Sequence, residues 1–347
     1  MPSNLALIVC CGLLTVCNPV PLYWHIQQGN SGPVAMGVWV LIATFNDFIN
    51  FVVWHDDAVN RAPVWCDISV KVRIGVQIGR LAAVACIARF LADVVSPRAT
   101  AITRQDRRRR AITDYSVAFG FPLVLMACHV LYQPNRFTLY NGIGCVVTQV
   151  LSWPTILLNI IWGPIFSTVG VLYSSKFHSA TRTLTHRVVA GAHSALTTSR
   201  FLHLLALSIS YLLVGAPLSI YSTISYVRTS EKYYDYSWEY IHSAWKLFPV
   251  VQIHTPTTPD FYSWSDVIVG FIYLAAFGAG TEAFKKILKT TCSFLPSSKH
   301  WSRRRKETKH FDSMPVTITL DSGLTGSRIL NSTKGVKVVV EQEQNIV

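Results

Sequence analysis

Seven long apolar stretches, separated by polar connections, take up most of this sequence. They run over about 3–23, 33–53, 67–95, 114–132, 153–175, 201–227 and 265–288. A helix rises about 1.5 Å per residue, so each can cross a hydrocarbon core of about 30 Å. Backbone groups in lipid must be satisfied within the segment, which requires helices rather than open strands. The expected fold is an all-α membrane protein: a seven-transmembrane helix bundle over residues 1–290, followed by a polar tail, 291–347. Only 14% of the residues are charged, against about 25% in a typical soluble domain.

The net charge of +13 invites a nucleic-acid reading, but its distribution excludes one. The positive charge is confined to particular loops and the tail. Between spans three and four lie Arg98, Arg104 and the run Arg107 to Arg110. Between spans five and six lie Lys176, Arg182, Arg187 and Arg200, and after span seven come Lys289, Lys299 and Arg303 to Lys306. The alternate loops hold only Arg61, Arg136, Arg228, Lys232 and Lys246, together with the carboxylates Asp56, Asp57, Glu231, Asp235, Glu239 and Asp260. Basic loops stay on the cytoplasmic side, so the N-terminus is expected outside and the C-terminus inside. Met1-Pro2-Ser3-Asn4 has no basic n-region, so the first stretch reads as a span rather than a cleaved leader.

Cysteines stand at positions 10, 11, 17, 66, 86, 128, 145 and 292. Most fall inside spans, where Cys acts as a small apolar residue. Cys66 and Cys145 fall at outer, oxidising positions. A bond between them would tie the start of span three to the loop before span five; two free thiols are the alternative. The sequon Asn331-Ser332-Thr333 lies in the tail, on the side that is not glycosylated. There is no internal repeat, no phosphate-binding or dinucleotide loop, no zinc motif and no catalytic constellation. The sequence therefore implies no enzyme, no cofactor and no metal.

Charged residues inside spans mark interior positions. Span two carries Asn46, Asp47 and Asn50, and span three carries Lys71, Arg73, Gln77, Arg80 and Arg89. Span two runs outward and span three inward. Asp47 and Arg73 each lie six residues from the outer end of their span, which predicts an Asp47–Arg73 pair. Its reading is open between a polar ligand site or latch and a structural ion pair. Span six contains Gly215-Ala216-Pro217, a kink suited to a swinging inner half. The connection from span six to span seven is crowded with aromatics, among them Tyr236, Trp238, Tyr240 and Trp264. These suit either an interfacial belt or a lid over an apolar ligand.

Several segments in order carry a resemblance. Trp65-Cys66-Asp67-Ile68 opens span three, and Asn135-Arg136-Phe137-Thr138-Leu139-Tyr140-Asn141-Gly142-Ile143-Gly144-Cys145 forms the second outer loop. Arg200-Phe201-Leu202 opens span six, with Pro217 beyond it, and Trp238-Glu239-Tyr240-Ile241-His242 lies in the third outer loop. Phe277-Gly278-Ala279-Gly280-Thr281-Glu282-Ala283 closes span seven. Over about residues 3–290 the chain resembles the fungal mating-pheromone receptors that recognise farnesylated peptides.

That resemblance implies a multi-pass G-protein-coupled receptor of the plasma membrane. Its partners would be a farnesylated peptide pheromone, the Gα subunit of a heterotrimeric G protein feeding a mating kinase cascade, and the bilayer. It admits a homodimer as well. Trp54, Trp153, Tyr262 and Trp264 are candidates for the ligand's lipid, and Asp47, Asp56, Asp57, Arg73 and Arg136 for its peptide. Lys176, Arg182, Arg187 and Arg200 are candidates for G-protein coupling, and Cys292 for palmitoylation. The family's acidic residue before Gly-Cys in the second loop is replaced here by neutral Tyr140-Asn141-Gly142-Ile143.

Two other membrane classes compete. A rhodopsin needs a lysine near the middle of span seven, and none occurs there before Lys285 and Lys286. A transporter or channel predicts interior carboxylates, for which only Asp47 and Glu282 qualify.

Overall fold

In the computed structural model the chain is described over residues 2–95, 104–188, 209, 213, 217, 219–221, 223–228, 233–247, 249–255, 261–278, 328–331 and 337–340. It divides into two units, Met1–Leu295 and Pro296–Val347.

The first unit is mostly helical. Helices α1 (Pro2–Cys17) and α2 (Pro19–Gln28) form one path, joined through Asn18. Pro19 cannot donate to the ladder, but Leu22 still donates to the Asn18 carbonyl at 3.3 Å. The path ends where Gly29 takes φ 66°, a left-handed C-cap that glycine adopts without strain. Helix α3 (Ser31–Val53) is followed by α4 (Pro63–Val95). Next come α5 (Arg104–Tyr115), a π-helical turn over Ser116–Gly120, and α6 (Phe121–Cys128). Beyond the loop, α7 (Trp153–Thr155) passes through a second π-helical turn, Ile156–Ile160, into α8 (Trp162–Val188). Helices α9 (Trp238–Leu247) and α10 (Phe261–Gly278) follow.

Among the described residues, five helical runs are long and apolar enough to cross a membrane. They are Asn4–Gln28, Ser31–Val53, Pro63–Asp93, Arg104–Leu131 and Trp153–Ser175, with a shorter apolar run at Ser263–Phe277. Most of the expected sixth stretch and the end of the seventh lie outside the described residues. The fourth helical run begins at Arg104, ten residues before the expected start of the span at Asp114. Arginine is a good helix former, and Arg110 is tied to Asp93 of α4 at 2.9 Å.

Helix α4 is the packed centre. Its small residues let neighbours approach closely, as membrane helices require in the absence of a hydrophobic drive between them. A Cβ at Gly79 would lie 2.3 Å from the Trp39 indole, and one at Gly75 would lie 2.5 Å from the Met126 sulfur. Trp39 is fixed because its Nε1 donates to the Ala118 carbonyl at 2.7 Å, within the first π-helical turn. Trp39 packs with Ala43 and Val76, while Met36 and Val40 of α3, Leu81, Val84 and Ile87 of α4, and Tyr273 of α10 form another core.

The all-α expectation needs a correction. Strands β1 (Phe137–Tyr140) and β2 (Gly144–Val146) form an antiparallel hairpin, and β3 (Val250–Ile253) adds in parallel to β1. The hairpin turns because Gly142 and Gly144 take φ 85° and 84°, a region L side chains rarely adopt. The parallel partner lies more than a hundred residues away, so no local pattern announces it. In the second unit, β4 (Arg328–Asn331) pairs antiparallel with β5 (Lys337–Val340).

Candidate functional site

The two ends of the bundle differ in kind. At one end Cys66 of α4 is bonded to Cys145 of β2, with 5.3 Å between the Cα atoms. Trp54, Ala58, Val70, Phe137 and Leu139 enclose that bond without exposure. Asn50 of α3 reaches up into it: its side chain donates to Asn46 O and Ser69 Oγ, both at 2.9 Å, and accepts from Cys145 N at 3.3 Å. The Trp54 carbonyl accepts from Gly142 N at 2.8 Å. Arg136 N donates to Pro249 O at 2.9 Å, and Tyr234 N to Leu151 O at 2.9 Å. Three loops are thus stitched into a cap over this end.

Below the cap lies a buried polar cluster. Arg73 of α4 approaches Asp47 of α3 at 3.0 Å, the pair the sequence predicts. Two turns further along α4, the second arginine, Arg80, meets Asp266 of α10 at 2.6 Å. Asp47 also senses the Asp266 and Arg80 charges, so the four side chains form one network linking α3, α4 and α10. Asp266 corrects the sequence reading, which admitted only Asp47 and Glu282 as interior carboxylates. It stands second in the expected seventh span and looks there like a flanking residue. The helix in fact starts at Phe261, which draws Asp266 a full turn inside.

A second polar group was also hidden. Lys71 Nζ lies 2.8 Å from His129 Nδ1 and donates to Gln133 Oε1 at 2.9 Å, while His129 Nε2 lies 3.0 Å from the Thr148 carbonyl.

The remaining candidates fall in different settings. Trp54 is fully enclosed and donates to the Val59 carbonyl at 2.9 Å. It is a wall of the cap rather than open surface, which corrects its place as a contact for the ligand's lipid. Trp153 is half exposed, edge-on to Tyr236 with ring centroids 5.7 Å apart. Trp264 packs against the cluster of Leu7, Cys11, Leu14 and Phe51. Asp56 contacts His55 at 2.6 Å. Asp57 accepts from Arg61 Nη1 at 2.7 Å, a hydrogen bond that holds its carboxyl below the ordinary range. Arg136 donates through Nε to Asp67 at 3.2 Å, and the bond to Asp67 pushes the guanidinium pKa up. The side chains of Tyr262, Lys176, Arg182 and Arg187, and the whole of Arg200 and Cys292, lie outside the described residues.

At the opposite end, Asp114 is 2% exposed. It accepts from Arg89 of α4 at 2.5 Å and from the Ser31 hydroxyl at the start of α3. The first residue of an expected span gave no hint of this role. Among the described residues no group of His, Cys, Asp and Glu could hold a metal ion.

A multi-pass helical bundle of this kind, capped at one end and strongly basic at the other, has the build of a membrane receptor. The profile of the Pheromone A receptor family, STE3, matches residues 6–294, and the chain belongs to that family of receptors rather than to any enzyme family. It is 35% identical over 219 residues to "Pheromone B alpha 1 receptor" of Schizophyllum commune, covering 60% of this chain and 33% of that one. It is 30% identical over 279 residues to "Pheromone B alpha 3 receptor" of the same species, covering 76% and 44%. To "Pheromone a factor receptor" of Saccharomyces cerevisiae it is 25% identical over 308 residues, covering 84% and 63%. The chain therefore spans a third to less than half the length of the first of these curated relatives.

Proposed function

We propose that this chain is a G-protein-coupled receptor for a farnesylated peptide pheromone, with seven spans, the N-terminus outside, the C-terminus cytoplasmic, and a place in the plasma membrane. The observation that carries the reading is the disulfide-tied cap above a buried Asp47–Arg73 and Arg80–Asp266 network. A ligand engaging the cap is one helix turn or two from charges shared by α3, α4 and α10. Any shift of α10 against α4 must remake the Arg80–Asp266 contact, so binding at the cap biases helix packing further down.

In this reading the ligand's lipid meets Trp153, Trp264 and Tyr262. Its burial at about 25 cal/mol per Å² supplies most of the affinity. Asp56, Asp57 and Arg136 select among peptides, each at the expense of its present pairing with His55, Arg61 or Asp67. The basic end faces the cytoplasm, and Lys176, Arg182, Arg187 and Arg200 border the cleft that takes the Gα subunit. Residues 1–290 are the receptor domain and 291–347 a cytoplasmic tail that carries the β4–β5 pair, with Cys292 a palmitoylation site.

The test is a mating or reporter response to one synthetic peptide made with and without its farnesyl group. A loss of potency by orders of magnitude without the lipid is expected; equal potency would sink the ligand assignment.

A further inference from the structure

The basic segment that opens α5 has a geometry of its own. Asp114 and Arg110 mark the packed side of this helix, through Arg89 and Asp93 of α4. At about 100° per residue, Arg108 sits about 160° around from Arg110, and Arg104 about 120°. Ile112 and Tyr115 fall in the same sector, and they are exposed at 57% and 39%. Beyond the π-helical turn, Leu123 and Val124 are exposed as well. One outward face thus runs from apolar side chains, through a tyrosine, to two guanidinium groups a single turn, about 6 Å, apart. That order matches the passage from acyl chain to headgroup in a bilayer.

Two further facts call for a negative partner here. Cations at a helix N-terminus oppose the macrodipole, and the one carboxylate of the first turn, Asp106, is outnumbered by Arg104 and the run Arg107, Arg108 and Arg109. Among the described residues, Arg104 and Arg108 make no ion pair, whereas Arg110 and Arg89 on the packed side both do.

We propose that Arg104 and Arg108 form a headgroup site for an anionic phospholipid, whose acyl chains lie along Ile112 and Tyr115. Guanidinium groups bind phosphate oxygens as planar forks, and basic residues at the membrane surface attract anionic lipid. The site anchors the α5 end of the bundle at headgroup depth.

The test uses the purified full chain, titrated separately with phosphatidylserine and phosphatidylcholine, with bound lipids counted by native mass spectrometry. The chain should prefer phosphatidylserine. The double variant Arg104→Gln/Arg108→Gln should lose about tenfold of that preference. Arg104→Lys/Arg108→Lys should keep most of it, as should Arg109→Gln, whose side chain points to another sector. An unchanged preference in the double Gln variant, or an equal loss in Arg109→Gln, would overturn the proposal. Excess inorganic phosphate, against chloride of matched ionic strength, should leave phosphatidylserine bound; complete displacement would mean a free-anion site and would overturn it too.

Discussion

Asp47–Arg73 and Asp57–Arg61 join the same chemical groups in two different settings. The first pair, with Arg80–Asp266, is enclosed by three helices, and Asp47 is 2% exposed. The second sits in the loop between α3 and α4, where both partners meet solvent. In water the attraction between two charges is largely offset by their hydration. Inside the bundle Asp47 can recover almost no hydration if its partner leaves, although the Arg73 side chain keeps 26% of its surface exposed, so the interior pairs hold helices in register while the loop pair orders a turn. Similar distances therefore mean different things, and burial decides which.

Removing one member of an interior pair should have the largest effect. Asp266→Ala removes one of the two carboxylates that balance Arg73 and Arg80, at a cost of about 3–5 kcal/mol. Thermal unfolding of the purified receptor and its surface level should both fall. Asp47→Ala should behave alike through Arg73. Wild-type stability in both variants would end the contrast between buried and exposed pairs.

The disulfide fixes the cap on which the exposed pairs sit. Cys66→Ser or Cys145→Ser should cost about 2–5 kcal/mol. The double variant should match either single one in melting temperature and ligand response. Additive losses would argue against a shared bond.

A smaller effect separates packing from charge in the same interior. Gly79→Ala places a methyl group against the Trp39 indole, which its bond to Ala118 holds in place. Overpacking of this kind costs about 1–3 kcal/mol. Gly79→Ala combined with Trp39→Phe should recover part of it in a melting experiment.

The smallest effect belongs to the loop pair. Asp57→Asn should leave the melting temperature unchanged at neutral pH, whatever it does to peptide selectivity. Because the Arg61 hydrogen bond depresses the Asp57 pKa, any stabilisation is present above the unfolded value of about 3.9. It is lost as pH falls through the lower folded value. Wild type and variant should therefore converge in strong acid, and any small difference between them belongs above about pH 4. A large loss at pH 7 would place Asp57 with the interior pairs.

What the sequence determined by itself rests on length, hydropathy and local charge. Apolar runs long enough to span lipid dictate helices, because the bilayer offers backbone groups no other partner. The depth argument for Asp47 and Arg73 needed only helical rise and alternate direction, and the two residues meet. The positions of Cys66 and Cys145 beside two loop boundaries placed a bond within reach. Other features depend on contacts between residues remote in the chain, which no periodicity encodes. Strand β3 joins β1 across more than a hundred residues. Asp266 becomes interior because α10 begins at Phe261, before the hydropathy does. Asp114 acquires Ser31 and Arg89 because α5 extends back to Arg104 through arginines that hydropathy assigns to a loop. Trp54 reads as surface in a loop sequence, yet it is enclosed by a hairpin eighty-odd residues on. Hydropathy reports how a segment partitions between water and lipid; which polar groups find partners is settled only when the helices pack.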